Sequence, residues 1–187
     1  MTTLIFLVNI MLTATYSIIA LKIEQRRARW TFSSIQRHIL YGIRHLKTAG
    51  GVDLEALLNR LTQFEQYCHR RKVEVVVIPA LRRLTCEADA LLDELEQLSK
   101  ASLDLLCSVR EKLQHWMRSG ATAVEDICVT LEQCCASFYR RLLREEELVE
   151  LAERVIPTEA WFGIAKCFLY EDGRALGLKE PVHDDEE

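Results

Sequence analysis

Only three prolines and seven glycines interrupt the 187 residues. That is too few for the closely spaced turns of an all-β fold, and long helices are expected instead. The seven cysteines contain no CxxC pair, and their odd number does not make a small disulfide framework. Free, buried thiols in a reducing compartment are the plain expectation. Positive charge is not in excess, because 24 Lys and Arg stand against 28 Asp and Glu for a net charge of −4. The footprint of nucleic-acid binding is therefore missing. Also absent are a Gly-rich phosphate loop, an HExxH pair and any nucleophile–base arrangement, so no enzymatic chemistry is expected. What is present is 49% hydrophobic content in a chain long enough for one domain with a sizeable core.

Charge is missing altogether from Leu4 to Leu21, a run of 18 residues. A helix of that length rises about 27 Å, near the minimum for crossing a hydrocarbon core of about 30 Å. No Lys or Arg precedes the run, so the basic head of a secretory signal is lacking. Lys22, Arg26, Arg27 and Arg29 follow it directly, with Trp30 placed for an interface. This asymmetry predicts a single-pass membrane anchor over residues 1–30, contacting the membrane through residues 4–21, with the remainder in the cytoplasm. An uncleaved export signal, a buried core helix or a stretch upstream of the true start would carry the same pattern.

Helical periodicity continues beyond the run. Ile35, Leu40, Ile43 and Leu46 predict a helix from about Phe32 to Lys47, ended by Gly50-Gly51. Asp53 is a good N-cap for a second helix carrying Leu54, Leu57, Leu58, Leu61 and Phe64, expected to reach Ile78 before Pro79 kinks or ends it. A third follows Thr85 with Leu91, Leu95, Leu98, Ser102, Leu105, Val109 and Leu113. A fourth opens on the capping-box pattern at Thr122–Glu125 and carries Ile127, Leu131, Cys134, Phe138 and Leu142. Pro157 starts a short last helix with Trp161, Ile164 and Phe168. The fold class expected is all-α, an antiparallel four-helix bundle over residues 31–170 preceded by one transmembrane helix and followed by an acidic tail, 171–187.

Two segments echo each other at an offset of 71 residues: Arg70 matches Arg141, Glu74 matches Glu145, and the apolar pairs Val77/Leu148 and Ile78/Val149 follow. A polar head with an apolar tail, repeated at two helix ends, suggests two related hairpins in one bundle. His69 and Pro79 stand ten residues apart, and the second segment runs through Leu-Ala-Glu-Arg into Pro157-Thr-Glu-Ala-Trp161. From Ser33 to Phe168 the chain resembles the hemerythrin-like (HHE cation-binding) domains on these features. The resemblance implies a four-helix bundle with a non-haem di-iron site, its histidines and carboxylates projecting inward from His-x-x-x-Glu pairs.

Carried over by position, the implied ligand set is incomplete. The helix-A histidine falls on His38 and the helix-B histidine on His69, but the glutamate partner of the latter falls on Val73, one residue before Glu74. The helix-C histidine falls on Ser99, and on helix D the pair falls on Arg140 and Arg144, with Glu145 again displaced by one. The candidate metal ligands are thus His38, His69, Glu74 and Glu145, with Cys68 and His45 as further neighbours. Two guanidiniums beside two ferrous ions would repel them, so the expectation is a decayed site in which arginine pairs with Glu74, Glu145 or Glu147. The chain would then be a non-enzymatic structural, binding or regulatory module without a cofactor. The alternative implied by the resemblance is a working non-haem iron sensor or carrier for oxygen, nitric oxide or iron. A helical partner-binding module unrelated to that family is a third reading. Arg70-Arg71-Lys72 is expected to be a solvated surface, and Glu145-Glu146-Glu147 to face water or pair with Arg141 and Arg144. Adjacent Cys134 and Cys135 point about 100° apart on a helix and are expected as small core fillers.

Overall fold

The computed structural model describes the backbone of residues 2–49, 54–119 and 124–175, and the side chains of residues 11–43, 55–118 and 124–170. The regular elements among the described residues are all helices: α1 (Thr2–Ala49), α2 (Leu54–His69), a π-helical turn (Val73–Val77), α3 (Ile78–Leu84), α4 (Asp89–Ser119), α5 (Val124–Val155) and α6 (Thr158–Ala175). The all-α expectation holds. The capping box begins at Thr122, and the acidic tail continues beyond Ala175, both outside the described residues.

The N-terminal segment differs from the expected separate anchor. α1 is one helix of 48 residues crossing the 30/31 boundary without a break, because no proline or glycine occurs before Gly42. Among the described residues no helix is long and apolar enough to cross a membrane. The side chains of Leu4–Ile10, the first part of the uncharged run, lie outside those residues. The second part shows a buried face: Ala14, Ser17 and Leu21 are covered, with Ala14 and Leu21 in one cluster with Val73, Val77, Trp161, Ile164 and Phe168. The same helix later buries Ala28, Phe32, Ile39 and Ile43.

The second expected helix is interrupted. Arg70 N–H and Arg71 N–H donate to carbonyls three residues back, at 3.1 and 3.3 Å, which tightens the chain after α2. Ile78 N–H then donates to the Val73 carbonyl, five residues back, which loosens it. Pro79 explains the wide turn, since it has no N–H for the Val75 carbonyl and its ring crowds that oxygen. The consequence is a change of phase. Leu61, Phe64 and Cys68 face the core before the break, and Val73, Val77, Ala80 and Leu81 after it.

Two apolar clusters result. One gathers residues 28–43 of α1, 57–68 of α2, 106–113 of α4 and 127–142 of α5, centred on Phe32, Phe64 and Phe138 with ring centroids 5.3–5.8 Å apart. The other gathers the first part of α1, the π turn, α3, the start of α4, the end of α5, and α6. On α1, Gln25 lies between the two sets; on α2 and its extension, Arg71 does; on α5, Glu145 does, with Arg141 one turn before it. A polar layer separates the clusters.

Candidate functional site: a buried arginine–glutamate layer

Arg71, Arg141 and Glu145 are each no more than 1% exposed, and Gln25 is buried beside them. Arg71 donates from Nη1 to Glu145 Oε2 and from Nη2 to Gln25 Oε1. Arg141 donates from Nε to Glu145 Oε1 at 3.1 Å and from Nη2 to Glu74 Oε1 at 2.6 Å. Gln25 Nε2 completes the ring by donating to Glu145 Oε2 at 3.5 Å. Arg141 and Glu145 stand one turn apart on α5, which lets both side chains enter one layer. The tight turn after α2 carries Arg71 inward, and the π turn places Glu74 at the rim, where its side chain is 22% exposed.

The charges balance: two guanidiniums face Glu145 and Glu74. Burial is the strongest single effect and works against the charge on Arg71 and on Arg141, but Glu145 together with the other acidic neighbours, Glu24 for Arg71 and Glu74 for Arg141, outweighs it and holds both above their ordinary range. Two donors, Arg71 Nε and Arg141 Nη1, have no hydrogen-bond partner among the described residues. Glu24 approaches from α1 and accepts from Lys72 N–H at 3.1 Å. Burial raises its carboxyl above the usual range, partly countered by Arg71. Cys68 lies against the layer, and burial, with Glu145 adding to it, pushes its thiol up to about 12. Burial does the same for Cys134 and Cys135, so these three thiols stay protonated at neutral pH and are poor nucleophiles. Cys68, Cys128, Cys134 and Cys135 are buried as expected, whereas Cys86, Cys107 and Cys167 are exposed.

The four candidate metal ligands are not brought together as one set. His38 is exposed, its Nδ1 2.7 Å from the Ser34 carbonyl. His69 is half exposed and paired with Glu65. Glu74 and Glu145 converge only on Arg141, with both Glu145 oxygens and Glu74 Oε1 accepting from guanidinium N–H groups. The side chain of His45 lies outside the described residues. Among the described residues no three His, Cys, Asp or Glu groups are grouped to hold a metal ion. The register on α5 also differs by one residue. Arg140 and Arg144, expected inside, lie outward and share Glu94 at 2.9 and 3.0 Å, holding its carboxyl below the usual range, chiefly through the Arg144 hydrogen bond.

Ser99, His69 and Glu74 do share a cleft of about 280 Å³ between the π turn and α4, outside the layer. Arg71 is the residue that sequence reasoning missed, since a run of three cations reads as solvated. The signal for its partner was present: Arg141 and Glu145 are both members of the echo and have the one-turn spacing. No family model, no curated protein and no solved structure matches the chain.

The layer predicts an asymmetric mutational response. Glu145→Leu leaves two buried guanidiniums without their shared carboxylate and should lower unfolding free energy by about 3–5 kcal/mol in denaturant titrations. Replacing the charged core together, Arg71→Met with Arg141→Met and Glu145→Leu, should recover most of that loss. Glu24 gives a pH signature. Its folded pKa lies above the usual 4.5, so its contribution is present below that pH and is lost as pH rises through the folded value. Glu24→Gln should flatten this decline, read as the thermal midpoint across the acid-to-neutral range.

Proposed function

We propose that the chain is a non-enzymatic structural, binding or regulatory module of hemerythrin-like build, in which an arginine–glutamate layer fills the interior where that family holds iron. The observation that carries this reading is the Arg141/Glu145 pair, buried on one helix with the spacing of the family's His-x-x-x-Glu motif. The echo relates this pair to Arg70 and Glu74, and Glu74 reaches the same Arg141. The donor set does not fit a di-iron centre: two fixed cations lie inside, Glu145 and Glu74 are engaged, and His38 and His69 lie outward. Metal analysis of protein purified without oxygen should find far less than one iron per chain. About two irons with oxo-bridge absorption, as a di-iron bundle would give, would overturn the reading.

The proposal extends to a membrane attachment through α1, with the bundle on the cytoplasmic side. Met11, Leu12, Tyr16, Ile19 and Ile23 are all more than half exposed, and Trp30 is 71% exposed. Leu12, Tyr16, Ile19, Ile23 and Trp30 recur at helical spacing opposite the buried face, so α1 carries a second, outward apolar stripe along this stretch. Arg26 and Arg27 follow on the outward side, and no Asp or Glu precedes Glu24. An apolar face ending in cations and an exposed Trp suits an anionic lipid surface. Leu12→Glu with Ile19→Glu should abolish flotation of the full chain with phosphatidylserine-containing vesicles. Flotation equal to that of the unaltered chain would reject the attachment.

A further inference from the structure

Between α1 and α2 lies a cleft of about 320 Å³, within the size range of small-molecule sites. Arg27 comes to it from α1 and Arg60 from α2, and neither forms an ion pair or hydrogen bond among the described residues. This sets them apart from Arg29, Arg71, Arg140, Arg141 and Arg144, each held by a carboxylate. Among the described residues no carboxylate lines the cleft. Its other polar groups, the Thr31 hydroxyl, the Gln63 amide and the Tyr67 phenol, can all donate hydrogen bonds. The floor is apolar, formed by Ile35 and Phe64. Phe64 is 3% exposed and locked against Phe32, Phe138 and Tyr67 with centroids 5.3–6.0 Å away, so it is a fixed surface.

We propose that this cleft binds an organic phosphate, with Arg27 and Arg60 on the phosphate and an apolar or aromatic body resting on Phe64 and Ile35. Two unpaired guanidiniums match the near-double charge of a phosphomonoester, and their planar forks suit its oxygens. A carboxylate offers fewer acceptors and half the charge. The apolar floor favours a phosphate carrying a carbon body over inorganic phosphate. The pre-set Phe64 ring avoids the ordering cost that a mobile floor would add. The phosphate is either a free metabolite or a lipid headgroup, and the location on α1 beside Trp30 is compatible with both.

The full chain would be titrated by calorimetry with phenyl phosphate and with inorganic phosphate, and by flotation with phosphatidylcholine vesicles containing phosphatidic acid or phosphatidylserine. Saturable phenyl phosphate binding, tighter than that of inorganic phosphate, supports a free organic phosphate; flotation with phosphatidic acid vesicles that exceeds flotation with phosphatidylserine vesicles of equal anionic content, the excess being lost in Arg27→Ala/Arg60→Ala, supports a lipid headgroup. In either case the double variant should bind at least about tenfold more weakly, with an unchanged helical spectrum, while Arg118→Ala, in a different cleft, should bind normally. Arg60→Gln alone, a single change at an exposed side chain, serves if the double variant unfolds. Absence of binding to every probe, or equal binding by the double variant and Arg118→Ala, overturns the proposal. Leu12→Glu/Ile19→Glu leaves phenyl phosphate binding intact, so failure of membrane attachment and failure of this site are separate results.

Discussion

The contact on which the bundle depends is the shared Glu145 carboxylate between Arg71 and Arg141. Every long element that crosses the middle of the molecule changes its packing partners there, with an apolar cluster on either side. A wholly apolar interior of the same volume would let helices slide by a turn at little cost, because Leu, Val and Ile present similar surfaces. A carboxylate that must meet two guanidiniums permits one register only. Such a layer contributes little net stability, since desolvating the ions opposes their attraction. Its contribution is to exclude alternatives: any slip of α5 or the segment after α2 buries a charge alone, at a cost of several kcal/mol, while a slip of α1 takes the Gln25 amide from Arg71 and Glu145.

The helices themselves were legible, because apolar side chains at steps of three and four leave few other solutions. Ile127, Leu131, Cys134, Phe138 and Leu142 are all buried on α5, as are Trp161, Ile164 and Phe168 on α6. Periodicity failed where backbone geometry stopped being α-helical. A tight turn at Arg70-Arg71 followed by a wide one before Pro79 rotates the facing residues, and no fixed angular step reproduces that. Arg71 was missed for another reason: it stands three residues after buried Cys68, but a run of three cations reads as solvated. On α5 the limit was different: Arg140 and Arg141 are adjacent cations, and helical phase alone favours Arg141, which lies three residues after Phe138 and four before Glu145. Spacing counted from a distant family motif gave the neighbouring residue; spacing counted from the local core gives the correct one.

The N-terminal run illustrates an ambiguity of another kind. Eighteen uncharged residues satisfy a lipid interior and a protein interior equally well, because both reward apolar surface on any side. The distinction lies in what else the helix touches. Ala14, Ser17 and Leu21 are small or apolar enough to pack beneath α6, while Leu12, Tyr16, Ile19 and Ile23 stand on the opposite side. One helix therefore serves a core and an outward apolar face along the same stretch. The Ser17 hydroxyl, fully buried, is satisfied within the helix by the Thr13 carbonyl at 3.0 Å, so its polarity does not oppose burial.

That continuity links the surface of the molecule to its polar layer. Within one turn of α1, Glu24 and Gln25 face the layer while Arg26 and Arg27 face outward. On the opposite wall, Tyr67 lies one turn before Arg71. The charge of Arg71 acts on the Tyr67 phenol more strongly than that of Arg27, although both oppose the upward pull of burial. A ligand drawing Arg27 and Tyr67 together would press on a part of α1 that cannot move freely, because Gln25 is tied to both Arg71 and Glu145. Under the proposed reading the layer makes the cleft rigid, so that its shape is set before a ligand arrives. The same fixed turn would hold the outward face of α1 at a constant angle to the bundle.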